Sequence, residues 1–224
     1  MHTQYPGEGP TRGRRGNPVF DAAFARGVSY LASNTETQEL VQQAGSALLD
    51  RIGPAIIVTH SQAGPFGWLL ADARPKLVRG IIAVEPSGPP FEEATRSNAP
   101  ASAWGPAEIR LTYDPPVNDP KELRYEKQAK ADGSDLVLCN LQSGTPRTLP
   151  NLRGIPIAIL TGEASYHAPY DHCTSKYLAQ AGVANEHIRL EARGIRGNGH
   201  GIPNELNNLV AAKLVDDWLV GKVK

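Results

Sequence analysis

One segment in the second quarter of the chain limits the possible folds more than any other. Residues 55–59 form a short, β-branched and continuously apolar run, which is typical of a strand buried on both faces of a sheet. The sequence HSQAG follows at residues 60–64, and residues 66–73 are then apolar at helical spacing. The segment therefore predicts a strand, a sharp turn and a helix that packs back onto a parallel sheet.

The remaining periodic segments alternate between strand and helix patterns, which indicates an α/β fold with a mostly parallel sheet flanked by helices. The helical segments cover residues 35–52, 170–181 and 205–220, and the further strands cover residues 78–84, 155–160 and 187–191. We expect one domain over residues 1–224, with an irregular N-terminal segment over residues 1–33.

Residues 87–151 lose this periodicity and contain much proline, glycine and charge, apart from a short helix expected near residues 121–131. A long connection that leaves the carboxyl end of a strand in an α/β domain lies over the ligand crevice. The segment is therefore predicted to be a cap or lid insertion, and an irregular excursion without a role is the alternative.

Composition and charge exclude several classes of function. The chain has 23 Lys+Arg and 23 Asp+Glu, so no overall positive field attracts nucleic acid. Its apolar runs are too short for a membrane span, and the first residues are polar, which predicts a soluble chain without a signal peptide and leaves the compartment open. Cys139 and Cys173 are too few for a disulfide framework, and we expect two free thiols.

Ser61 is the candidate nucleophile, because a serine at the tip of a strand-to-helix turn has its hydroxyl exposed above the sheet. The usual G-x-S-x-G pattern is met loosely, since Thr59 and Ala63 replace its glycines. In the alternative interpretation, Ser61 only caps the helix that follows.

A serine needs a base and an acid to become nucleophilic. His200 is the candidate base, since it lies in the glycine-rich loop GNGHG before the last helix. Glu85 is the candidate acid, because it ends the strand after the nucleophile strand, and Asp171 and Glu163 are alternative acids. Gln62, His60, Tyr166 and His167 are predicted near the oxyanion or the substrate, with His60 packed beside the sheet.

These segments resemble the α/β-hydrolase superfamily, and more narrowly its esterase branch with a His-Ser-Gln elbow and a glutamate acid. The similarity rests on NTETQEL (34–40), THSQAGPFGW (59–68), AVEPSGPPF (83–91) and Gly199-His200, and it covers nearly the whole chain. It implies Ser61 as nucleophile, Glu85 as acid, His200 as base, a small carboxylic ester as substrate, and no metal or cofactor.

The N-terminus departs from that family pattern. The 60 residues before Ser61 are too few for four strands, and no His-Gly-Gly type oxyanion loop precedes the elbow. We therefore expect a shortened sheet with an exposed edge at residues 56–58, as in a fragment or a late-start gene product. A catalytically impaired homologue that acts as a binding module, and a lactone or amide hydrolase, remain the alternatives.

The cluster His167, Asp171, His172 and Cys173 is a weaker metal candidate. Its spacing matches no standard zinc pattern, so no metal site is predicted there.

Overall fold

A computed structural model describes residues 1–94, 97 and 99–223. Its helices are α1 (Pro18–Ala25), α2 (Asn34–Ile52), α3 (Gly64–Ala73), α4 (Asp171–Gln180) and α5 (Asn208–Lys222). Its strands are β1 (Ala55–His60), β2 (Val78–Val84), β3 (Tyr125–Lys127), β4 (Asn140–Gln142), β5 (Ile157–Thr161) and β6 (Glu186–Arg189).

Four parallel strands form the main sheet in the order β1-β2-β5-β6, and β3 pairs with β4 as a small antiparallel hairpin. All four strands of the main sheet run in one direction, so their carboxyl ends meet at one edge. This edge is where the turn after β1, the end of β2 and the loop after β5 come together. The predicted α/β fold with a mostly parallel sheet is confirmed.

The two faces of the sheet are covered by different helices. Alternate strand residues point to opposite faces, so Ile81 and Ile159 face α2, α3 and α4, whereas Ile82 and Leu160 face α5. The sheet thus lies between two layers of helices, and this packing holds in place the strand ends at which the candidate site lies.

At one end of this sheet, β1 pairs with β2 and leaves apolar side chains in solvent. Ile56 is 39% exposed and Val58 is 63% exposed, which agrees with the exposed edge expected at these residues. An edge strand with unpaired backbone groups is a template for association.

The region between β2 and β5 differs from its sequence prediction. A helix near residues 121–131 is wrong, because a single 3-10 turn (Pro120–Glu122) is followed directly by β3. The Tyr125 ring stacks on Phe91 with centroids 4.2 Å apart, and β3 pairs with β4, so tertiary contacts outweigh the local helical preference. The N-terminal segment also differs from expectation, since α1 lies within it.

The prediction of two free thiols is wrong. Cys139, which precedes β4, and Cys173 in α4 form a disulfide, with Cα atoms 5.1 Å apart. The two residues are 34 positions apart in the sequence, and only the packing of α4 against β4 brings them together. The bond ties the predicted insertion to α4.

Among the described residues, no helix combines the length and the apolar character needed to cross a lipid bilayer.

Candidate active site

Ser61 lies at the junction of β1 and α3, in a turn whose backbone is unusual for a serine. Its φ is 59°, in the left-handed region that residues with a Cβ rarely adopt. Gly64 allows this turn to approach the next strand, because a Cβ at that position would lie 2.4 Å from the Cβ of Pro86. The elbow is thus a strained turn pressed against the end of β2.

Three side chains from distant parts of the chain meet above this turn. His200 Nε2 lies 2.7 Å from Ser61 Oγ, and His200 Nδ1 lies 2.6 Å from Glu85 Oε2. Both distances are those of strong hydrogen bonds. The arrangement is that of a nucleophile, a base and an orienting carboxylate.

Glu85 directly follows β2 and is fully buried. Besides His200, it accepts hydrogen bonds from the Gly162 backbone N–H at 2.8 Å and from Ser165 Oγ at 2.7 Å. Its φ of 45° is also left-handed. A buried carboxylate with three donors is held in one orientation, which in turn fixes the His200 ring.

The two alternative acids lie elsewhere. Asp171 Oδ1 lies 2.9 Å from His167 Nδ1, and Asp171 Oδ2 accepts a hydrogen bond from Thr161 Oγ1 at 2.7 Å. Glu163 pairs with Arg196 and accepts from the Gly197 N–H, a hydrogen bond that lowers the pKa of this carboxyl. Glu85 is thus the candidate acid that contacts His200.

The loop that carries His200 is held from both sides. The buried Glu205 accepts hydrogen bonds from the Gly199 N–H at 2.8 Å, from Asn198 Nδ2 at 2.6 Å and from His2 Nε2 at 2.6 Å. On the other side, His60 Nε2 donates to the His200 carbonyl oxygen at 2.7 Å. His60, expected beside the sheet, therefore lies against the loop that carries His200.

A cavity of about 520 Å³ opens over Ser61. Gln62, Tyr166 and His167 line it together with Ser61. The Gln62 backbone N–H follows the serine directly, as the first donor of an oxyanion hole does. Three of the four residues predicted around the substrate therefore lie at this cavity, and His60 lies behind His200.

Residues 4–213 match the alpha/beta hydrolase family. The chain belongs to this family.

A fungal relative, "Probable secreted lipase phiG" of Fungal sp. (strain ATCC 74256), is 44% identical over 219 residues. These residues cover 98% of this chain and 59% of the lipase, so the chain spans about three fifths of the length of that relative.

Solved structures that match this chain include a novel bacterial esterase, with 19% identity and a TM-score of 0.48 over 82% of this chain and 43% of the esterase. A monoacylglycerol lipase from Paleococcus ferrophilus has 16% identity and a TM-score of 0.47 over 83% of this chain and 76% of the lipase.

Beside the Ser61 cavity, this alpha/beta hydrolase has a buried network in which the sequence pattern indicated His167 and Asp171 but gave no role to Thr161 or His187. Thr161 Oγ1, which donates to Asp171, lies 2.9 Å from His187 Nε2, so His187 must donate to it. Burial lowers the pKa values of His167 and His187 to about 4 and raises the pKa of Asp171 well above its usual value. Both imidazoles are therefore neutral at neutral pH.

The only indication of this network in the sequence is the position of its residues relative to the end of a predicted strand. Thr161 ends β5, and Ser165 and His167 follow within six residues, at the same edge of the sheet as Glu85. His187, which begins a strand in the sequence pattern, gave no sign that it reaches the same edge.

The weak metal cluster divides into two groups. His167 and Asp171 bond to each other, whereas His172 Nε2 lies 3.1 Å from the disulfide sulfur of Cys139. Nitrogen and oxygen atoms of Glu85, His167 and His200 also lie within 4.8 Å of one another. Glu85 and His200 are hydrogen-bonded to each other, and the absence of a metal and a cofactor stays a prediction.

Proposed function

We propose that this chain hydrolyses carboxylic esters, with Ser61 as nucleophile, His200 as base and Glu85 as the acid that orients it. The observation that carries the proposal is the continuous pair of hydrogen bonds from Ser61 Oγ through the His200 ring to Glu85. The strained elbow and the cavity above Ser61 support the same assignment.

The reaction has two steps on this geometry. Ser61 Oγ attacks the ester carbonyl carbon while its proton passes to His200 Nε2, and Glu85 stabilises the imidazolium through Nδ1–H. The Gln62 N–H donates to the oxyanion. The tetrahedral intermediate then collapses, and His200 gives its proton to the departing alkoxide oxygen, which leaves an acyl group on Ser61.

Water completes the cycle. It attacks the acyl carbonyl while His200 Nε2 takes its proton, and the second tetrahedral intermediate expels Ser61 Oγ, which recovers the proton from His200. The products are the carboxylic acid and free enzyme.

The fungal relative named as a probable secreted lipase supports an ester substrate. Because this chain spans 59% of that relative, the activity and the substrate remain proposals for this chain. A small-molecule ester that fits a cavity of about 520 Å³ is the substrate class we propose.

The test is turnover of a p-nitrophenyl ester by the wild-type chain and by Ser61→Ala. We expect the variant to lose on the order of 10³-fold or more in kcat, because the nucleophile is gone. Ser46→Ala, which replaces a buried serine of α2, is the matched control and should retain the wild-type rate. Equal rates for wild-type protein and Ser61→Ala would reject the proposal.

A further inference from the structure

The His200 ring is enclosed by other aromatic side chains. The His167 ring stacks face to face on it, with centroids 4.6 Å apart and planes 5° from parallel. His60 and Tyr166 lie against it at 4.8 Å and 4.7 Å, with tilts of 32° and 44°. Among these three contacts, the His167 contact is the one with parallel rings.

His167 is itself held rigidly. Its Nδ1 lies 2.9 Å from the buried Asp171, which Thr161 also contacts, and its backbone N–H donates to Ser165 Oγ. Ser165 Oγ in turn donates to Glu85. The same hydroxyl group therefore contacts both Glu85 and the backbone of His167. His167 is 2% exposed. Because the His167 ring is anchored in this way, it restricts the orientation of the His200 ring stacked on it.

From this geometry, and resting on the proposed function, we propose that His167 is a positioning residue. Its neutral ring, anchored by Asp171, fixes the plane of His200 and stabilises the positive charge that His200 acquires when it takes the proton of Ser61.

The physical basis is the interaction of a cation with the electron-rich face of an aromatic ring. This interaction is strongest where water is excluded. His167 and Glu85 are both buried, and the His200 side chain is 23% exposed. The stabilisation applies to the His200 imidazolium more than to the neutral ring. Loss of the stacked ring should therefore lower the pH at which His200 becomes a free base.

Several titratable groups from different parts of the fold surround His167. They are Asp171 in α4, Glu85 after β2, Glu93 in the following segment, His60 at the end of β1, His200, and the neighbouring Tyr166 and Tyr170. Burial is the largest influence and lowers the pKa of His167 to about 4, so its ring is neutral at neutral pH.

The experiment compares His167→Phe with His167→Leu in the full chain. Both variants lose the bond to Asp171, and only Phe keeps an aromatic face over His200. The measurement is the pH dependence of kcat/KM for a p-nitrophenyl ester, since its acidic limb reports the base of the free enzyme. We expect the pH at the midpoint of this acidic limb to be about half a pH unit lower in the Leu variant than in the Phe variant.

We also expect kcat of the Leu variant at its optimum pH to be about threefold below that of the Phe variant, with KM similar in both. A Leu midpoint equal to or above the Phe midpoint overturns the proposal. If melting curves show that either variant is unfolded, His167→Asn is compared with wild type in the same way. Asn can still donate to Asp171 but has no ring, so an unchanged or raised midpoint again overturns the proposal.

His172→Asn is the matched control, because His172 follows Asp171 on α4 and is buried but contacts the disulfide. We expect this variant to keep the wild-type midpoint, and a shift as large as that of the Leu variant would refute the ring contact as the cause. Wild-type protein without Ser61-dependent turnover would reject the proposed function instead, so the two failures can be distinguished.

Discussion

At the scale of single residues, Glu85 is the most constrained member of the proposed site. It is fully buried and receives hydrogen bonds from a backbone N–H, a hydroxyl and an imidazole. A buried carboxylate is stable only when donors bond to it, and it orients those donors in turn. Substitution of Glu85 should therefore affect both the proton position on His200 and the local structure.

We predict that Glu85→Gln lowers kcat for ester turnover on the order of 10³-fold or more, because an uncharged amide no longer stabilises the imidazolium. Asp171→Asn should lower kcat by about tenfold or less, since Asp171 contacts His167 rather than His200. Steady-state kinetics on the two purified variants checks this. A larger loss in Asp171→Asn would contradict the assignment of the acid.

The residues that meet at Ser61 could be predicted because each belongs to a recognisable place in the sequence. A serine after a short apolar strand, a glutamate at the next strand end and a histidine in a glycine-rich loop all map to one edge of a parallel sheet. The contacts made by Ser165 and by His187 could not be predicted, since they depend on side-chain directions that spacing does not contain.

At the scale of elements, the contact between α3 and the end of β2 positions the nucleophile relative to the acid. Gly64 opens α3, and a Cβ there would lie 2.4 Å and 2.5 Å from the Cβ and Cα of Pro86. Pro86 follows Glu85 directly. Any outward movement of α3 therefore separates Ser61 from Glu85.

We predict that Gly64→Ala destabilises the fold by about 1–3 kcal/mol, the usual cost of overpacking, and lowers kcat. Gly221→Ala is the control, because Gly221 in α5 has open space around its Cα and alanine favours helix. Urea unfolding and ester turnover measure the two effects. Equal stability and equal turnover in both variants would argue against the close approach.

The secondary structure shows which elements a sequence pattern can predict. The run at residues 78–84 and the observed β2 have the same bounds, because its apolar residues are buried on both faces of the sheet. The segment near residues 121–131 was wrongly predicted as helix, since its conformation is set by pairing with β4 and by stacking on Phe91. Non-local contacts of this kind leave no local pattern.

At the scale of the whole molecule, the disulfide Cys139–Cys173 connects the segment between β2 and β5 to α4. The same helix begins with Asp171, which contacts His167, and His167 stacks on His200. A crosslink between positions 34 residues apart restricts the unfolded chain more than the folded one.

We predict that reduction of this bond, or Cys139→Ser together with Cys173→Ser, costs about 3–4 kcal/mol of stability. Thermal unfolding with and without a dithiol reductant measures the loss. The double variant should melt at the temperature of the reduced wild-type protein, and reductant should not lower its melting temperature further. A wild-type melting temperature that reductant leaves unchanged would show that the bond does not form or does not contribute.

The central claim is that Ser61 is a nucleophile activated by His200. A fluorophosphonate that bonds to activated serines tests it directly, with the adduct measured by intact-protein mass and located by peptide mapping. We predict one adduct per chain on Ser61, lost in Ser61→Ala and formed far more slowly in His200→Asn. A cooperatively folded wild-type chain that forms no adduct, or forms it on another residue, would contradict the account.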